Sequence, residues 1–196
     1  MNLYQKLSSG AGPDEELLKS PELKWIMDWS SDGQFILYRA PGLKTNNDIW
    51  VLPMGNRNPY PLVHTEFNEN WARFSHNGRW VAYVSDETGA EEVYVREFQE
   101  SSGKWLVSTG GGSFPRWRRD GKELYYTSGG KMMAVEVNAS GSNFDARVPK
   151  LLFEKPGVGQ YDVSGDGQRF LVGVPVENRS PDPITVVLNW TADLKR

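Results

Sequence analysis

At 196 residues, with hydrophobic residues at 38% and eight each of Trp, Tyr and Phe, the chain reads as one aromatic-rich globular domain and not as a disordered protein. A formal charge of -3 and a pI near 5.5 provide no bulk attraction for nucleic acid or for an anionic membrane surface. The absence of cysteine removes disulfides, thiolate metal sites and cysteine nucleophiles together.

In chain order, residues 3–6 and 15–19 read as two strands about a Gly-containing turn at 8–12. The pair Asp32-Gly33 then opens a recurring pattern that returns at Asn77-Gly78, Asp120-Gly121 and Asp166-Gly167, at steps of 45, 43 and 46 residues. That is the period of a four-stranded propeller blade. The flanks recur with the turn. Before it stand Trp29-Ser30, Phe74-Ser75, Trp117-Arg118 and Val163-Ser164. After it come second strands at 35–38, 80–83, 124–126 and 170–172, rich in the aromatic and β-branched residues that suit a pleated surface. Third strands follow at 49–52, 93–95, 132–135 and 184–187, and fourth strands at 62–63, 105–107 and 151–153.

The expected fold is therefore all-β: a single propeller domain of about four four-stranded antiparallel blades, either a small ring or an open arc. Strands of a split blade occupy residues 1–19, full blades 23–65, 70–109 and 114–153, and a last blade 160–190. Each Asp/Asn-Gly pair is expected to close the first hairpin of its blade as a two-residue turn. A calcium-loop reading of 28–33 and 162–167 fails, because the twelfth position, where a bidentate Glu is needed, holds Arg39 or Gly173. Closure into a ring would bring the strand at 15–19 onto the last blade. An arc would leave unpaired edges open to a second copy or a partner.

The units Trp29-Ser30-Ser31-Asp32-Gly33 and Phe74-Ser75-His76-Asn77-Gly78, each followed by an apolar strand and then an Ile-Trp-Val or Val-Tyr-Val strand, resemble TolB-type, WD-repeat-like β-propeller repeats. More narrowly, the segments at 110–121 and 183–190 are similar to the C-terminal propeller of bacterial, notably acidobacterial, proteins that carry a serine/threonine kinase domain. The resemblance implies a propeller placed outside the cytoplasm, after a membrane segment. No apolar run here approaches the roughly 18 residues of a spanning helix, and residues 1–6 lack the features of a signal peptide.

The residues offer little catalytic machinery. The two histidines, His64 and His76, have no G-x-S-x-G elbow to accompany them. Gly130-Lys131 lacks the rest of a phosphate loop, and no kinase motif is present. The cluster Arg116, Arg118, Arg119 and Lys122 reads as a solvated blade edge.

In a four-stranded meander the loops joining second to third strands and those joining one blade to the next emerge on one face, here those at 44–47, 66–70, 86–91, 110–113 and 176–182. Glu66, Glu69, Asp86 and Glu87 make that rim acidic, with Asn70 beside them as a binding candidate, while Asp28, Arg73, Arg116 and Tyr161 on the inner strands would line a central channel. The expectation is a non-catalytic binding module without metal or cofactor, whose partner is a protein or small ligand and not nucleic acid. The alternative is the propeller cap of a prolyl-oligopeptidase-type hydrolase.

Overall fold

The computed structural model describes residues 1–42, 47–99, 103–139 and 143–175. Strands β1 (Leu3–Gln5) and β2 (Glu15–Leu18) pair with each other. The first blade holds β3 (Trp25–Trp29), β4 (Phe35–Ala40), β5 (Asp48–Pro53) and β6 (Tyr60–Val63) in that order. The second holds β7 (Glu69–Phe74), β8 (Trp80–Ser85), β9 (Glu92–Glu97) and β10 (Lys104–Leu106). The third runs β11 (Ser113–Trp117), β12 (Glu123–Ser128), β13 (Lys131–Asn138), with β14 (Asp145–Ala146) and β15 (Lys150–Glu154) both paired to β13. A final pair, β16 (Tyr161–Val163) and β17 (Phe170–Val172), ends the described chain. All pairings are antiparallel, so the expectation of an all-β protein with four-stranded antiparallel blades holds. The third strand expected at 184–187 and the loop expected at 176–182 lie outside the described residues.

Each blade turn is built by its own side chains. Gly33 donates its N–H to the carbonyl of Ser30 at 2.8 Å, and Ser30 donates to Phe35 at 2.9 Å. The turn is thus a four-residue loop and not the expected two-residue one. Among Asp32, Asn77, Asp120, Asp166 and their glycines only the glycines take positive φ, between 71° and 73°. A type I turn followed by a left-handed Gly has this shape. The serine explains itself in the same geometry. The Ser30 hydroxyl donates to Asp32 and accepts from the N–H of Phe35, and Ser75 and Ser164 repeat both bonds. In the third blade, which has Arg118 there, the guanidinium holds Asp120 through Nε and Nη2 instead, both at 2.7 Å.

The blades stack face to face through strands that are apolar on both sides. In β8, Val81 and Tyr83 enter the core shared with the first blade, while Trp80, Ala82 and Val84 enter the core shared with the third. This is why 80–85 reads as a continuous buried run and not as an alternation. Leu3 and Leu17 pack on Ile36, Tyr38 and Leu52 of the first blade, and Tyr161, Val163, Phe170 and Val172 pack on Tyr125, Met132 and Ala134 of the third.

Among the described residues the layers follow one another in chain order, from the β1–β2 pair through three blades to the β16–β17 pair, and no strand pairing joins the two ends. The expected placement of 15–19 on the last blade involves the strand at 184–187, outside the described residues; among the described residues β2 pairs with β1 and packs on the first blade. On β3, Ile26 and Trp29 lie opposite Tyr38 and Ile36 on the side of β1 and β2 and remain 61% and 49% exposed, while Trp25, opposite Arg39 on the other side of the strand, is 39% exposed.

Candidate functional site

The inner strand of each blade carries a charged residue four positions before the turn Asp or Asn: Asp28, Arg73, Arg116 and Asp162. The chain thus builds a file of acid, base, base, acid along the inner edge. In the first three blades the pairing register shifts immediately before this residue, between Ile26 and Asp28, Asn70 and Arg73, and Ser113 and Arg116. Such bulges re-aim side chains locally. Trp71 and Phe114, at matching positions within two of these bulges, both take φ of 56°, and their rings meet at 4.4 Å. A non-Gly residue pays strain in this region, and the ring contact offsets it.

Side chains also tie each inner strand to the next. The Asp28 Oδ2 accepts the Phe74 N–H at 2.8 Å, and the Trp117 indole donates to the Arg73 carbonyl at 3.1 Å. Burial raises the Asp28 pKa above the usual carboxylate value, against the opposing pull of that N–H and of Arg73 and Arg116. Burial, with repulsion from Arg116, brings Arg73 down to about 10, while Asp28 and Asp162 act the other way. The hydrogen bonds made by the two guanidiniums go to carbonyls of their own strands, Ala72 at 3.1 Å and Pro115 at 3.0 Å. A cleft of about 320 Å³ lies beside them, lined also by His76, Arg119, Asp162 and Ser164.

Of the inner-channel candidates, Asp28, Arg73 and Arg116 stand in this file. Tyr161 is buried in the core under the third blade, with the Arg116 guanidinium 6.0 Å from its ring. Burial pushes its phenol pKa up. Asp162 is the residue that sequence reasoning missed. Its signal was present, because Asp162 precedes Asp166 by the same four positions that separate Arg116 from Asp120.

The rim candidates are divided. Glu66 is exposed, whereas Glu69 and Asn70 are buried. Asn70 accepts from Arg39, whose guanidinium lies 4.5 Å from the Trp25 ring. Asp86 caps the N–H of Asn68 at 2.9 Å, and Glu87 pairs with Lys104. Burial raises Glu69 to about 7, the Thr65 hydroxyl opposes this, and Asp48, Asp86 and Glu87 add to it. The rim is therefore a buried carboxylate with acidic neighbours and not a flat acidic patch. His64 Nδ1 bonds Asp48 Oδ2 at 2.6 Å, a clamp between the start of β5 and the end of β6. Among the described residues no three His, Asp or Glu side chains converge as metal ligands, and no helix is long and apolar enough to cross a membrane.

No family model and no curated protein matches the sequence. Solved structures do. TolB from Acinetobacter baumannii superposes with a TM-score of 0.63 at 21% identity over 89% of this chain and 43% of that one. A candidate TolB from Agrobacterium tumefaciens gives 0.59 at 19% identity over 87% and 65%. A prolyl endopeptidase gives 0.52 at 14% identity over 77% and 26%. The chain thus spans about two thirds or less of each of these proteins, and at such identities the likeness establishes the TolB-like propeller fold.

Proposed function

We propose that the chain is a non-catalytic binding module whose recognition edge is the file Asp28, Arg73, Arg116 and Asp162, with an anionic group as its target. The observation that carries this is the pair of neighbouring, partly buried guanidiniums that repel one another and whose hydrogen bonds go to backbone carbonyls of their own strands. A carboxylate between them relieves the repulsion and accepts from both planar forks. Succinate at low salt serves as the probe. Saturable amide shifts at Arg73 and Arg116 are expected, weakened about tenfold in Arg73→Gln or Arg116→Gln. No saturable shift, or unchanged affinity in both variants, removes the reading.

The larger context we propose is the sensor end of a kinase-linked protein, supported by the sequence resemblance at 110–121 and 183–190. The likeness to a prolyl endopeptidase favours a second reading, a propeller that caps a hydrolase domain. The adjoining coding sequence separates them: a kinase upstream supports the first and an α/β-hydrolase domain downstream the second. The exposed Ile26 and Trp29 face of β3 is a further contact surface. Light scattering across a concentration series is expected to show association of the isolated 22.2 kDa chain. A monomer at every concentration removes self-association through that face.

A further inference from the structure

Away from the inner edge, a cleft of about 460 Å³ opens between the first and second blades, walled by Leu62, Val63 and Tyr83 and reaching Arg96 and Lys104. Glu69 and Ser85, register partners at the ends of β7 and β8, line it. Glu69 is fully buried. Its Oε1 accepts from Thr65, and its Oε2 has no partner. Ser85 is 2% exposed, and its Oγ has no partner either. Two adjacent buried oxygens without hydrogen bonds are costly unless a donor serves both.

The surrounding charges select the donor. Asp48 of β5 and Asp86 and Glu87 beyond β8 act on Glu69 and disfavour a second anion. The basic side chains on the lining are engaged elsewhere: His64 bonds Asp48, Lys104 pairs with Glu87, and Arg96 donates to the Leu62 carbonyl. The apolar walls suit an alkyl stem. We propose that this cleft binds a primary ammonium group on a short apolar stem, its N–H groups donating to Glu69 Oε2 and Ser85 Oγ.

The inference goes beyond the inner-edge reading, and either site can fail without the other. Because Glu69 titrates near 7, the ammonium binds its ionised form and releases a proton on binding at lower pH.

The test uses n-butylamine as the probe, with n-butanol and butyrate as neutral and anionic isosteres, followed through the amide signals of Glu69 and Ser85. Saturable binding of the amine alone is expected at pH 8, about thirtyfold weaker at pH 5.5 where the carboxyl is protonated. Glu69→Gln and, independently, Ser85→Ala should each weaken it, with circular dichroism confirming the fold. Equal response to butanol, affinity unchanged in both variants, or no saturable shift overturns the proposal.

Discussion

The junction between the first and second blades and the junction between the second and third are built to one plan and finished differently. At both, the chain crosses from an outer strand to the next inner strand under one backbone bond, Glu69 N–H to the Asn47 carbonyl at 2.9 Å and Gly112 N–H to the Glu91 carbonyl at 2.8 Å. At both, an acid at the start of the third strand clamps the residue 16 positions on, Asp48 with His64 and Glu92 with Ser108. The difference is the residue after the crossing. Gly112 has no side chain, so Ser108 packs over it, donating to Glu92, which also accepts the Gly111 N–H at 2.8 Å. Glu69 fills the matching place with a carboxylate, and the second junction's closed packing becomes a cleft. The two junctions thus differ at a matched position, Gly112 in one and Glu69 in the other.

The largest expected effect lies in the sealed junction. Trp80, fully buried against Trp105 and Phe144 at 5.4 and 5.2 Å, should cost about 4 kcal/mol on replacement by Ala. Its counterpart Phe35, only partly buried in the open junction, should cost about half as much. Equal losses in denaturant melts would erase the distinction between the junctions.

Next is the pH dependence of Glu69. Its pKa rises on folding from 4.5 to about 7, so the folded state holds the extra proton in that interval. The contribution of Glu69 to stability is therefore fully present below pH 4.5 and is lost as pH rises through 7, by about 3 kcal/mol. Glu69→Gln should flatten this slope and raise the melting temperature at pH 8; an unchanged slope would show that Glu69 is not its source.

Third, Gly112→Ala tests the seal. A Cβ there meets Ser108 Oγ at 2.6 Å, Ser108 Cβ at 2.7 Å and Val93 Cγ2 at 3.0 Å, which should cost about 2 kcal/mol by overpacking. The smallest change lies outside both junctions. Gly121→Val, at φ +72° with no neighbour within 4 Å, carries backbone strain alone, about 1–2 kcal/mol. If its cost matched that of Trp80→Ala, stability would reside in the turns more than in the junctions.

Much of the fold was legible because it is local and repeated. The Asp/Asn-Gly steps marked the blades, and the aromatic runs after them became β4, β8, β12 and β17. The turn type was misjudged because each Asp/Asn-Gly pair was read as the whole two-residue turn, whereas only the glycines take positive φ and the preceding Ser or Arg118 holds Asp or Asn in an ordinary conformation. Three of the four residues of the inner file were readable by residue type, and Asp162 by counting back from its turn. Ser85 had no signal, since its importance comes from facing Glu69 across a strand pair.

Sequence alone determined the period, the hairpins and the strand chemistry of this protein, because these depend on residues within a few positions of one another. Tertiary structure decided the rest. Where the first two strands dock depended on where Leu3 and Leu17 find an apolar face, and they find it on the first blade. Whether Glu69 is a rim charge or a buried acid depended on the crossing chain that covers it, because burial in a low-dielectric junction, set by distant residues, fixes the state of a carboxylate.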